Sequence, residues 1–237
     1  MASTKPNDAR RTGTDPAIAA DPFNTSDSEA ERRTLIDSAG RIIAEQGLSN
    51  ARVRDIADAA RISPVSVLFH YPDNDQLLLD VHKRAVDAYF TGRKAAAEGH
   101  SDPRRQLVAM VLAGIPPHAD QHTIELLYEL HSLSRRSAAH ADLMSELWRL
   151  ELDLYQQVVD AGVEQRLFEP RLDVADLAAA LLALEDGLVL HLVSDSASLD
   201  AMRVVELFTA AAGSELGCPT LADFAREAVS STIRCNW

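Results

Sequence analysis

The chain has 237 residues, 46% of them hydrophobic and 25% charged, and its 23 Lys and Arg against 36 Asp and Glu leave a formal net charge of -13. That length allows one or two domains with a sizeable core, and so average a composition excludes collagen-like repeats, wholesale disorder and a disulfide mini-scaffold. The acidity argues against a nonspecific nucleic-acid coat, since polyanions repel at long range.

The longest apolar run, Leu177 to Leu184, falls far short of the roughly 20 residues a spanning helix requires. No apolar segment opens the chain as a signal peptide would. Two cysteines, Cys218 and Cys235, give neither a disulfide framework nor paired zinc knuckles. A cytoplasmic protein with reduced thiols and no membrane partner is expected.

Residues 1–27 mix Pro, Asp, Thr and Ala without an apolar period and read as a flexible tail. Its Lys5, Arg10 and Arg11 either trail along a nucleic-acid backbone or are simply solvated. From Ser28 onward the pattern is helical, with no strand-like alternation, so the fold is expected to be all-α. Leu35, Ile36, Ala39, Ile42 and Ile43 form one stripe, closed by Gly47 as a left-handed cap. Val53, Ile56, Ala57 and Ala60 mark a two-turn helix, and a third helix opens with Ser63 as N-cap and Pro64 at its first position. These short helices make a helix-turn-helix. Asp73 and Gln76 suggest a capping box for a fourth, long helix reaching Ala97. Further helices are expected from Ser101 to about Gly114, Gln121 to Ser134, Ala138 to Val163, Asp173 to Val193, Leu199 to Leu216 and Leu221 to Ile233, with no internal repeat.

The stretch Leu35 to Leu78 carries Ala44-Glu45-Gln46-Gly47, Val53-Arg54-Asp55-Ile56-Ala57, Ile62-Ser63, Phe69-His70-Tyr71 and Leu77-Leu78 without a gap. It resembles the DNA-binding domain of the TetR/AcrR family of bacterial transcriptional regulators. More weakly, Leu181 to Leu188 is similar to a pattern in the family's regulatory domain.

The resemblance implies a DNA-binding head over residues 28–80 and a ligand-binding and dimerisation domain over 81–237. It implies a homodimeric, ligand-responsive regulator, a repressor as most of the family are, whose partners are a double-stranded DNA operator and a small-molecule effector. Two heads would sit in successive major grooves about 34 Å apart. The helices over 173–194 and 199–216 would pair across the dimer.

By family position the DNA contacts are Arg52, Arg54, Ser63, Val65, Ser66, Leu68, Phe69, His70 and Asn74, with Val67 and Tyr71 turned to the core. His70 is read either as a phosphate donor or as a satisfied histidine beneath the fourth helix. Several residues depart from the family pattern: Arg61 replaces a turn glycine, Pro64 and Val65 replace Lys-Gly, Leu68 replaces Tyr, and Asn74 replaces a phosphate-binding Lys. Cationic contacts are lost, which keeps open an alternative: a helical dimer of this family with weak or lost DNA binding that serves as a small-molecule or protein-binding module.

Tyr128, His131, Met144, Trp148, Leu152 and Tyr155 recur at helical spacing, either as core or as pocket. With Asp186, five of them (Tyr128, His131, Met144, Trp148 and Tyr155) are the candidate ligand contacts, for an effector that is largely apolar with one or two polar or basic groups. Glu185 and Asp186 stand inside an apolar run, and a buried carboxylate there requires a partner: a ligand, a second subunit or water. No metal and no cofactor is expected. His118 and His122 read as a polar loop, and no G-x-S-x-G, H-E-x-x-H or phosphate-binding glycine loop points to an enzyme.

Overall fold

A computed structural model describes residues 22–116, 121–194 and 199–235, with side chains from Ser28 to Ser230. The order is α1 (Pro22–Gln46), α2 (Val53–Ala60), α3 (Pro64–His70), α4 (Asn74–Glu98), α5 (Pro103–Leu112), α6 (Gln121–His131), a short 3-10 turn (Ser132–Arg135), α7 (Ala138–Glu164), α8 (Val174–Val193), α9 (Ala201–Glu215) and α10 (Leu221–Cys235). The described residues contain no strand. Lys5, Arg10, Arg11, His118 and the side chain of Cys235 lie outside them.

Local chemistry sets the helix starts. The side chains of Ser63, Asp102, Asp173 and Asp200 each accept from a backbone N–H of the first turn. Gly47 ends the first helical stripe at φ +78°. Arg61 ends α2 in the same left-handed region at φ +58°, where a side chain costs energy that glycine avoids.

Three expectations need correction. Helix α1 begins at Pro22, inside the expected tail. His122 belongs to the first turn of α6 instead of a loop. Asp73 caps α4 through the Asp75 N–H, but Gln76 donates to Asp80 and does not complete a capping box.

Helices α1 to α3 pack around Leu35, Ile43, Ile56 and Val67, and Leu77 and Val81 of α4 enter the same core. This head core also takes Leu126, Leu127 and Leu130 from α6 and Leu147 from α7. The body core lies among α5, α7, α8, α9 and α10, around Leu107, Met110, Tyr155, Leu181 and Phe208. Helix α4 packs on α1, α5, α6 and α7, so it runs from the head into the body. Close approaches are bought with small residues: a Cβ on Gly162 would overlap the Phe168 ring.

Candidate functional site

The outer face of α3 is apolar. Val65 is 75% exposed, Leu68 51% and Phe69 80%, while Val67 and Tyr71 are buried beneath them. Arg52, Arg54, Ser63 and Asn74 are exposed around this helix, as is Arg61. Ser63 Oγ lies 2.8 Å from Ser66 Oγ and accepts from the Ser66 N–H, so both hydroxyls join the helix cap and can still turn outward.

His70 is the exception among the candidate DNA contacts. Its side chain is 6% exposed, and Nε2 lies 2.7 Å from Glu31 Oε2 of α1. It packs against α1 as a satisfied histidine and does not reach outward. Nearby, Tyr71 donates to Asp80, which also holds Arg32 at 2.9 Å. Burial, then Asp80, pushes the Tyr71 hydroxyl up to about 12. These contacts fix α3 against α1 and α4, so its exposed residues are presented on a rigid support.

A second site lies in the body, where a cavity of about 530 Å³ is walled by α4, α6, α7 and α8. Tyr128, His131, Met144, Trp148 and Asp186 all line it. Tyr155 does not: it is fully buried and donates its hydroxyl to Glu185. The Tyr128 hydroxyl donates to the Asp186 carbonyl at 3.1 Å, closing one corner.

Glu185 meets none of the three partners considered from the sequence. Arg93 of α4 donates to it twice, at 2.5 and 2.7 Å, and also to the Tyr89 hydroxyl at 2.8 Å. Gly114 is what lets this pair close, because a Cβ there would overlap Arg93 Nη1 and stand 2.6 Å from Glu185 Oε1.

Sequence reasoning missed Tyr89, Arg93 and Glu151. Glu151 lines the cavity, is 5% exposed, and lies 3.5 Å from Arg93 Nε. The signal was present: Glu151 falls three residues after Trp148 and four before Tyr155, an acid on an apolar stripe. Burial pushes its carboxyl up to about 8, with Arg93 opposing and Glu185 and Asp186 adding. The Asp186 carboxyl, at the rim, is raised to about 6 by partial loss of water and then by Glu185.

Beside the cavity, His82 of α4 and His140 of α7 stack with Nδ1 atoms 2.8 Å apart, and His82 Nε2 lies 3.3 Å from the sulfur of Met144. The contacts use opposite nitrogens of His82, so they form a hydrogen-bond chain instead of converging on one ion. Among the described residues no cluster of three or more His, Cys, Asp or Glu is placed to hold a metal. No helix among them is long and apolar enough to cross a membrane.

Comparison with known proteins agrees with this architecture. Residues 35–81 match the family of bacterial regulatory proteins of the tetR type, and residues 103–217 match the C-terminal domain of BetI-type transcriptional repressors. The chain is 27% identical over 151 residues to the transcriptional repressor KstR2 of Rhodococcus jostii, covering 64% of this chain and 74% of that one. It is 25% identical over 191 residues to the regulator PksA of Bacillus subtilis, covering 75% and 86%. Among solved structures, a transcriptional regulator from Saccharomonospora viridis in complex with choline superposes with a TM-score of 0.71 at 25% identity, covering 76% and 94%. With a helix-turn-helix head matching one half of the family's pattern and a helical body matching the other, the chain belongs to the TetR family of transcriptional regulators, which are not enzymes.

Proposed function

We propose that this regulator is a homodimeric repressor, working in the cytosol where its operator is, released from DNA when a largely apolar small molecule fills the cavity. The observation that carries the reading is the course of α4. Its first half buries Leu77 and Val81 in the head, and its second half brings Tyr89 to the cavity wall. A ligand that reshapes that wall acts on a rigid rod whose other end supports α3. The choline complex of the Saccharomonospora viridis protein supports a body of this shape holding a small molecule.

The dimer would form through α8 and α9. Ala180 and Ala183 are exposed along α8, and Met202 and Ala210 along the adjoining α9. These small and apolar side chains suit close packing against a second copy, and a two-fold axis gives two heads for two half-sites.

On DNA, Leu68 and Phe69 would pack on sugars or thymine methyls, with Arg52, Arg54 and Arg61 gripping phosphate. The absence of any charged side chain on the exposed face of α3 also favours a second reading, a member of the family that has lost operator binding. A gel shift of the chain against its own upstream DNA decides: a salt-sensitive specific complex supports the repressor, and its absence at low salt supports the second reading.

A further inference from the structure

Among the described residues of the cavity wall, Glu151 is a buried carboxylate whose pairing is incomplete. Its Oε1 has no hydrogen-bond partner, and neither has the Nε of Arg93 facing it at 3.5 Å. Arg93 reaches Glu151 through that Nε alone, because both of its terminal nitrogens donate to Glu185 and Nη1 also serves Tyr89. One guanidinium thus faces two buried carboxylates, and Glu185 takes its hydrogen bonds.

The surroundings decide what would complete Glu151. A neutral, fully apolar occupant would strip the remaining water from this carboxyl group and offer it no polar partner, which costs free energy. An anion would meet the Asp186 carboxylate at the rim, and Arg93, the cation behind the wall, is already held by Glu185. A cation would be matched by Glu151 and bordered by Tyr89, Tyr128 and Trp148, rings whose faces attract positive charge. The remaining wall is aliphatic, with Ile124, Leu127, Leu147 and Leu190.

We propose that Glu151 is the anchor for a protonated amine carried on an aliphatic body, so that the effector class is an apolar amine; this rests on the cavity being the effector site. The charged and titratable groups around the anchor are Tyr89 and Arg93 from α4, Tyr128 and His131 from α6, Tyr155 from α7, and Glu185 and Asp186 from α8. Of these only Arg93 is a permanent cation, and Glu185 holds it.

The test uses the full-length protein at pH 7 and three probes of one shape: octylamine, octanol and octanoate. Occupancy is read by the fluorescence of Trp148, with Trp148→Phe as the control, and by calorimetry in buffers of different ionisation heat. Octylamine is expected to bind about tenfold or more tighter than octanol, with octanoate weakest. Because burial raises the Glu151 carboxyl to about 8 and a bound ammonium favours its ionised form, octylamine should displace a proton at pH 7 and octanol none. In E151Q the preference for octylamine should fall to within about threefold and the proton release should vanish. D186N should keep both.

Equal binding of octylamine and octanol by the wild type overturns the assignment and leaves the cavity reading standing. The wild-type comparison of amine with alcohol holds even if E151Q fails to fold. Loss of selectivity in D186N instead of E151Q moves the anchor to Asp186 and overturns the proposal. A Trp148 signal that responds to none of the three probes removes the cavity reading, and the proposal with it.

Discussion

Arg93 and Glu185 are separated by 92 positions in the chain and meet through paired hydrogen bonds, Nη1 to Oε1 at 2.5 Å and Nη2 to Oε2 at 2.7 Å, with Arg93 fully buried and Glu185 1% exposed. Such a pair withdraws two charges from water, so breaking one side is costlier than replacing both. Glu185→Gln should destabilise the fold by about 3–5 kcal/mol, whereas replacing the whole group, Arg93→Met with Glu185→Leu and Glu151→Gln, should recover part of that loss. Urea unfolding of the three proteins checks it; equal losses in the single and combined variants would show that a stranded guanidinium is not what the single variant suffers from.

Glycines separate by what surrounds them. Gly114→Ala pushes a methyl group into the Arg93–Glu185 pair and should cost about 1–3 kcal/mol. Gly92→Ala, in the middle of α4 with nothing within 4 Å of a new Cβ, should gain roughly 0.5–1 kcal/mol from helix propensity. Opposite shifts of the thermal midpoint are the expected result.

Oligomeric state tests the α8 face. Light scattering should give twice the 25.8 kDa chain mass. Ala183→Arg, on the exposed side of α8, should return the mass to that of one chain with helical content unchanged. A dimeric Ala183→Arg protein would move the interface elsewhere.

On DNA, the arginines and the apolar residues should fail differently. Arg54→Ala should weaken binding to all sequences and lower the slope of log affinity against log salt by about one. Phe69→Ala should leave that slope unchanged and cost affinity chiefly at the operator. Filter binding over a salt series separates the two.

Acid should loosen the contact between α4 and α7. Burial, then His140 and His131, lowers His82 to about 4 from an ordinary 6.5. Because the folded form resists the proton that the unfolded chain accepts, stability is intact above pH 6.5 and falls as pH drops toward 4, by up to about 3 kcal/mol. His82→Phe should flatten this limb of the stability curve in proton-dependent denaturation.

The helices were legible because their starts and stops are local chemistry: Ser63, Asp102, Asp173 and Gly47 each signal a boundary within one turn. The apolar period likewise brought Tyr128, His131, Met144 and Trp148 to one wall. What lay beyond reach depends on residues distant in the chain. That Tyr155 turns to Glu185, that His70 turns to Glu31, and that Arg93 answers Glu185 follow from how α1, α4, α7 and α8 pack, which no local period encodes. Glu151 was overlooked because its neighbours make a good hydrophobic stripe without it, and an acid on such a stripe reads as solvent-facing until its burial is known.

Leu127 belongs to the packed interior of the head and also to the wall of the cavity, while its neighbours Leu126 and Leu130 face the head alone. The reading and sensing halves therefore cannot be exchanged as separate modules. A chimera joined at residue 81 would set a foreign head on α6, leaving three leucines against a surface that did not evolve to receive them. Transplanting the specificity of this regulator would require carrying the inner face of α6 along with the first four helices, or redesigning it for each new head.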